Sequence, residues 1–202
     1  MAIPASQSPG TDTILDWGSL RPVLRLTTSA LLVAVLVLAD LAFSAIPYVQ
    51  FITFLLIFYF YLVGYKPLVL ILLLYVSADC MISGGMWPIF ISLPTMFVAW
   101  LSLISLLNLT KLLRGPLVKK LWLVALVAGV HGFLYGQTFA VVTSLIYHGA
   151  TAQTFARGWL AWTIADIPWE VAQCIVGIIS ALALLPPVYL GMKRALRHFG
   201  KQ

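Results

Sequence analysis

What most constrains this chain is the way its basic residues punctuate long apolar runs instead of gathering on a polar domain. A run of about 20 apolar residues is what a helix needs to cross the roughly 30 Å hydrocarbon core of a bilayer. Of 202 residues, 62% are hydrophobic and 9% charged, where a soluble domain has about half and about a quarter. No soluble fold of this size has enough interior to hide that apolar surface, so lipid must be the solvent for most of it. The net charge of +6 therefore does not read as a nucleic-acid patch; it reads as the punctuation that sets membrane orientation.

The expected fold is an all-α membrane protein with six transmembrane helices and both termini cytoplasmic. Residues 1–20 form a cytoplasmic N-terminal segment, and residues 21–202 form the six-helix domain. The spans run at about Leu24–Ala45, Tyr48–Gly64, Leu68–Ile82, Pro88–Leu109, Lys120–Tyr147 and Pro168–Leu190. A tight turn, Gly64-Tyr65-Lys66-Pro67, separates the second from the third. This threading puts Arg21, Arg25, Lys66, Lys111, Arg114, Lys119, Lys120, Lys193, Arg194, Arg197 and Lys201 on one side and only Arg157 on the other. Cytoplasmic loops carry the excess of Lys and Arg, and adding or removing a span would scramble the division. The expected location is the plasma membrane of a prokaryote.

The first twenty residues, with Pro4, Pro9, Gly10, Asp12 and Asp16, lack a basic n-region, so no cleaved leader is expected. Cys80 and Cys174 have neither a disulfide framework nor metal-ligand spacing, and read as small packing residues. Catalysis finds no foothold. There is no glycine loop followed by lysine to cradle phosphate, and no His/Cys/Asp cluster. Ser83-Gly84-Gly85 and His131 fall at opposite depths. No intrinsic cofactor and no metal are expected. His131, beside Gly129, Gly132 and Gly136, reads as a helix-packing hydrogen-bonding group, though an intramembrane histidine is a functional suspect.

The acids take the side opposite the cations. Asp40, Asp79, Asp166 and Glu170 fall at or near outer ends of spans, with Arg157 in the same layer. A carboxylate near lipid is costly unless it faces water, a partner or a ligand. Two readings stand side by side: an outward-facing cavity, or solvated helix ends, with Asp166 capping a helix that Pro168 opens. The longest loop, His148 to Trp169, holds Trp159, Trp162 and Trp169; the loop between spans three and four adds Trp87 after Gly84-Gly85. Interfacial belts also use tryptophan, but flat aromatic walls with a few polar groups suit a cyclic organic ligand. The candidate binding residues are Asp40, Tyr48, Gln50, Asp79, Trp87, Arg157, Trp159, Trp162, Trp169 and Gln173. Gln137 and Tyr135 are weaker suspects within the fifth span. In the first span Ala30 and Ala34, four apart with Ser29 alongside, share a helix face that would admit a second helix closely.

With its six spans, cytoplasmic ends, Ala30-x-x-x-Ala34, Ile46-Pro47-Tyr48-Val49-Gln50 and Asp166-Ile167-Pro168-Trp169, the chain resembles the substrate-binding S-components of energy-coupling factor vitamin transporters. The likeness covers nearly the whole chain after residue 20. It implies a vitamin bound at the outer face, a transmembrane coupling subunit (EcfT-like) met by Ala30 and Ala34, and two cytoplasmic ATPases. Asp79, Gly84-Gly85, Trp87 and Pro88 look most similar to the cobalamin-specific group. Riboflavin, pyridoxamine, pantothenate and a thiamin precursor remain open. A structural alternative is similarity in size and fold to the rod-shape MreD family, which works by protein contacts; a secondary transporter would call for internal repeats, and none is evident.

Overall fold

The computed structural model describes residues 13–43, 51–82, 87–112 and 117–199, and all of its regular structure is helical. Its centre is α2 (Phe51–Val63), whose sequence FITFLLIFYFYLV is apolar on every side. A helix without a polar face belongs where neighbours surround it. Every α2 residue from Ile52 to Val63 is buried, with α1 (Pro22–Phe43), α3 (Tyr65–Ile82), α4 (Ile89–Leu109), α6 (Ala152–Ala183) and α7 (Leu185–Phe199) around it. The described part of α2 has 13 residues. At 1.5 Å per residue that is about 20 Å, short of the bilayer's hydrocarbon thickness.

Five segments are long and apolar enough to cross a membrane: α1, α3, α4, α5 (Leu117–His148) and the α6–α7 run. The chain is thus all-helical and suited to several passes through lipid. Gly64, at φ +83°, turns α2 into α3; there a side chain would be strained. The helix resumes at Tyr65, so Pro67, expected in a turn, sits in the first turn of α3. Its missing N–H is one of those a helix start leaves unpaired.

The largest departure concerns residues 148–169. The expected loop is helix: α6 begins at Ala152 and continues through Pro168 to Ala183. Thr151 starts it with a reciprocal cap, its hydroxyl accepting from the Thr154 N–H at 3.2 Å while the Thr154 hydroxyl accepts from the Thr151 N–H at 3.0 Å. Asp166 and Pro168 therefore lie inside the helix, and the capping role considered for Asp166 is overturned. Proline costs a soluble helix about 3 kcal/mol, but neighbouring helices let membrane helices absorb it.

Helices α5 and α6 each have 32 residues, about 48 Å at the helical rise, and pack as a hairpin on glycine. A Cβ built on Gly132 would lie 2.8 Å from the Cys174 backbone nitrogen, and one on Gly129 would lie 2.9 Å from Ile178 Cδ1. The Cys174 thiol donates to the Gly129 carbonyl at 2.9 Å. Small residues allow such close backbone approach between apolar helices.

Arg21, Arg25, Lys66, Lys111, Lys119, Lys120, Lys193 and Arg194 share one end of the bundle. There Ile14 and Leu15 donate backbone hydrogen bonds to Tyr61 and Leu62, both 2.9 Å, so this part of the N-terminal segment is fastened to the helices. The Lys120 ammonium donates to the Lys111 carbonyl at 2.9 Å, and Tyr189 of α7 meets Tyr61 edge to face at 5.8 Å. Arg157 stands near the opposite end, on the first turns of α6.

Candidate ligand-binding site

Two polar clusters occupy the half of the bundle away from the basic end. The first joins α1 to α3. Asp40 accepts from the Tyr75 hydroxyl at 3.2 Å, and Asp79 lies within hydrogen-bonding reach of Asp40. Tyr75 and Asp79 are buried. Of the two readings for these acids, a cavity or solvated helix ends, the inward bonding speaks against the second, and it is how a polar group survives among apolar helices.

The second cluster is a stripe along α6. Trp159, Thr163, Asp166, Glu170 and Gln173 are spaced four, three, four and three residues apart, so they lie on one helical face. Glu170 sits over Gly136, where a Cβ would collide with its carboxylate. Its Oε1 accepts from the Gln137 amide at 2.9 Å. The Gln137 carbonyl in turn accepts from the Trp159 indole at 2.9 Å and from the Thr163 hydroxyl at 3.3 Å. One turn further on, Gln173 is 4% exposed, and neither its amide nitrogen nor its amide oxygen has a partner.

An aromatic column runs along α4 and α5 from the start of α4 to the middle of the bundle. Trp100 stacks on His131 at 5.2 Å and meets Tyr135 at 4.9 Å; Tyr135 meets Phe139 at 5.0 Å; Phe139 stacks on Trp87 at 5.7 Å. Tyr135 is also within electrostatic reach of Tyr75, which ties the column to the first cluster. His131 is buried, with Nε2 3.2 Å from the Ala99 carbonyl, so the expected helix-packing bond is present and runs to α4. Ser92 fixes Trp87 ahead of α4, accepting from its N–H at 3.0 Å and donating to its carbonyl at 2.6 Å. The indole nitrogens of Trp87 and Trp100 are buried without a hydrogen-bond partner. Buried polar atoms are overwhelmingly paired; here Trp87, Trp100 and Gln173 leave donors, and Gln173 an acceptor, open inside the bundle.

The sequence-predicted residues therefore divide. Gln173 and Trp159 belong to the α6 stripe, Asp40 and Asp79 to the first cluster, and Trp87 to the column. Trp162 and Trp169, seven residues apart, lie along the flank of the stripe and are 40% and 39% exposed, as Trp159 is at 39%. They stand on helix rather than in a loop, and Arg157 is exposed beside them. Tyr48, Gln50 and the Gly84-Gly85 pair lie outside the described residues. Glu170, Gln137, Thr163, Tyr75 and Trp100 complete the site; the four-three spacing of polar residues along α6 was the legible signal for Thr163 and Glu170. Cys80 approaches Met96 Sδ at 3.6 Å, and both cysteines are free, in keeping with packing roles. On α1, Ala30 and Ala34 face outward, while Ser29, about 100° round the helix from Ala30, is buried and so does not belong to that face.

Comparison of the chain with protein-family models, curated proteins and solved structures finds no match.

Proposed function

We propose that the chain is the vitamin-binding subunit of an energy-coupled uptake system in a prokaryotic plasma membrane, crossing it six times with both ends in the cytoplasm. The single observation that carries this reading is Gln173, an amide buried among apolar helices with neither of its polar atoms paired. Leaving such a group unmade costs about 1–3 kcal/mol, and a ligand that pairs with it recovers that cost. The indoles and carboxylates elsewhere in the bundle are groups of the kind small-molecule sites use. The gathering of basic residues at one end supports placing that end in the cytoplasm, which opens the site outward.

Delivery then falls to α1, the least enclosed of the five long segments. Its outward Ala30 and Ala34 form the small-residue face on which an EcfT-like coupling subunit docks, with two ATPases below it supplying energy. Cobalamin heads the ranking that family resemblance suggests, followed by riboflavin, pyridoxamine, pantothenate and a thiamin precursor. The test is to purify the full chain in detergent and to identify, by mass spectrometry, small molecules released on denaturation. A stoichiometric vitamin is expected, together with a coupling protein and two ATPases in a mild affinity preparation. Ala30→Trp should abolish uptake into cells while leaving ligand in the purified protein. A preparation with neither ligand nor ATPases, from cells grown in rich medium, overturns the reading in favour of a scaffold.

A further inference from the structure

The α6 stripe carries two carboxyl groups one turn apart, Asp166 and Glu170, and among the described residues no basic side chain is paired with either. Glu170 is 3% exposed, and its hydrogen bond comes from the neutral Gln137 amide. Asp166 is its electrostatic neighbour of the same sign. Among the described residues the one basic side chain on this half of α6 is Arg157, nine residues before Asp166, about 13 Å along the helix. With no cation beside it, burial makes the charged form of a carboxyl group costly, a cost that a cationic ligand relieves. Beside it, the unpaired Gln173 amide marks independently a place where a polar group is missing. The Trp159 ring is held at the end of the stripe by its bond to Gln137 and is partly exposed, so its face is open to a cation.

We propose that this stripe is the receptor for a small organic cation, an aromatic or heteroaromatic compound bearing a protonated amine or quaternary nitrogen. The inference rests on the ligand-binding reading above and narrows it. The cationic nitrogen sits against Glu170 and Asp166, the Gln173 amide pairs with a neighbouring polar group of the ligand, and the Trp159 ring covers it. Gly136 is part of the design, since any side chain there would push the Glu170 carboxylate off its seat. This charge pattern moves thiamin-like and pyridoxamine-like compounds ahead of cobalamin, riboflavin and pantothenate.

The test is thermal unfolding of the detergent-purified full chain, titrated separately with thiamin, pyridoxamine, riboflavin, pantothenate and cyanocobalamin. A cationic compound is expected to raise the midpoint. Glu170→Gln keeps the shape and removes the charge, and should weaken the apparent affinity about 30-fold or more, as for other buried charge pairs. Asp166→Asn, at a less enclosed position, should weaken it several-fold and serves if Glu170→Gln does not fold. Binding by riboflavin, pantothenate or cyanocobalamin alone overturns the cation assignment and leaves the vitamin reading standing. So does unchanged affinity in both variants. If none of the five binds, the charge of the molecule released from the purified protein decides: a cation upholds the assignment and a neutral or anionic compound overturns it. Release of nothing overturns both readings.

Discussion

Helix α2 and the α5–α6 hairpin solve the same problem, packing apolar helices together, in opposite ways. Around α2 the contact is made by large side chains: Leu56, Ile57, Phe60 and Tyr61 have no exposed surface. The Tyr59 hydroxyl, deep in this core, donates to the Leu32 carbonyl at 3.3 Å. In the hairpin the backbones approach over Gly132 and Gly177, while Gly129 and Gly136 make room for the side chains of Ile178 and Glu170. There the bonding is incomplete, since Gln173 ends the stripe unpaired. The difference teaches where binding capacity resides: a core filled by interlocking side chains has no place for another molecule, whereas a seam of polar groups held by backbone contact retains bonds to give.

The comparison breaks first at Gly132. Gly132→Leu must force α5 and α6 apart at a backbone atom, a change that exceeds the roughly 1–3 kcal/mol of ordinary overpacking. Little folded protein should survive size-exclusion chromatography in detergent, and a normal monodisperse peak would refute backbone contact as the basis of the hairpin. Next comes the α2 core. Leu56→Ala opens a cavity among interlocked side chains and should cost about 3 kcal/mol, visible as a lower thermal midpoint with ligand binding per folded molecule intact.

Gln173→Leu separates the two regions most sharply. Replacing an unsatisfied buried amide by an apolar side chain of similar size should stabilise the ligand-free protein by about 1–2 kcal/mol while sharply reducing ligand retained through purification. A destabilised variant would mean that the amide is paired after all. The smallest effect belongs to the start of α6. Thr151→Ala removes the cap and should cost about 1 kcal/mol, read as faster amide exchange at Ala152–Phe155 with the Glu170 region unchanged.

Much of the architecture is legible in the residues. The long apolar runs foretell α1, α3, α4 and α5, and Thr151 with Thr154 marks the true start of α6. Residues 148–169 mislead because tryptophans, an acid and a proline resemble a loop with a helix entry, and propensity gives way once α5 offers the Gln137 carbonyl to Trp159 and Thr163, and Gly158 makes room for the His148 ring. Glu170 illustrates the same limit at the site. Its helical face follows from spacing, but the Gln137 amide that meets it comes from a helix 33 residues away.

By itself, then, the sequence determined that several segments are long and apolar enough to cross a membrane, that the structure is helical and that most of the described cations share one end. Those follow from composition, local periodicity and charge placement, which act within a helix length. Only the tertiary structure decided that Asp40 and Asp79 turn inward beside Tyr75 and that Gln173 stays unpaired. Whether a buried polar group finds a partner depends on atoms brought by distant helices, and no local pattern specifies which of them will arrive within 3 Å or so.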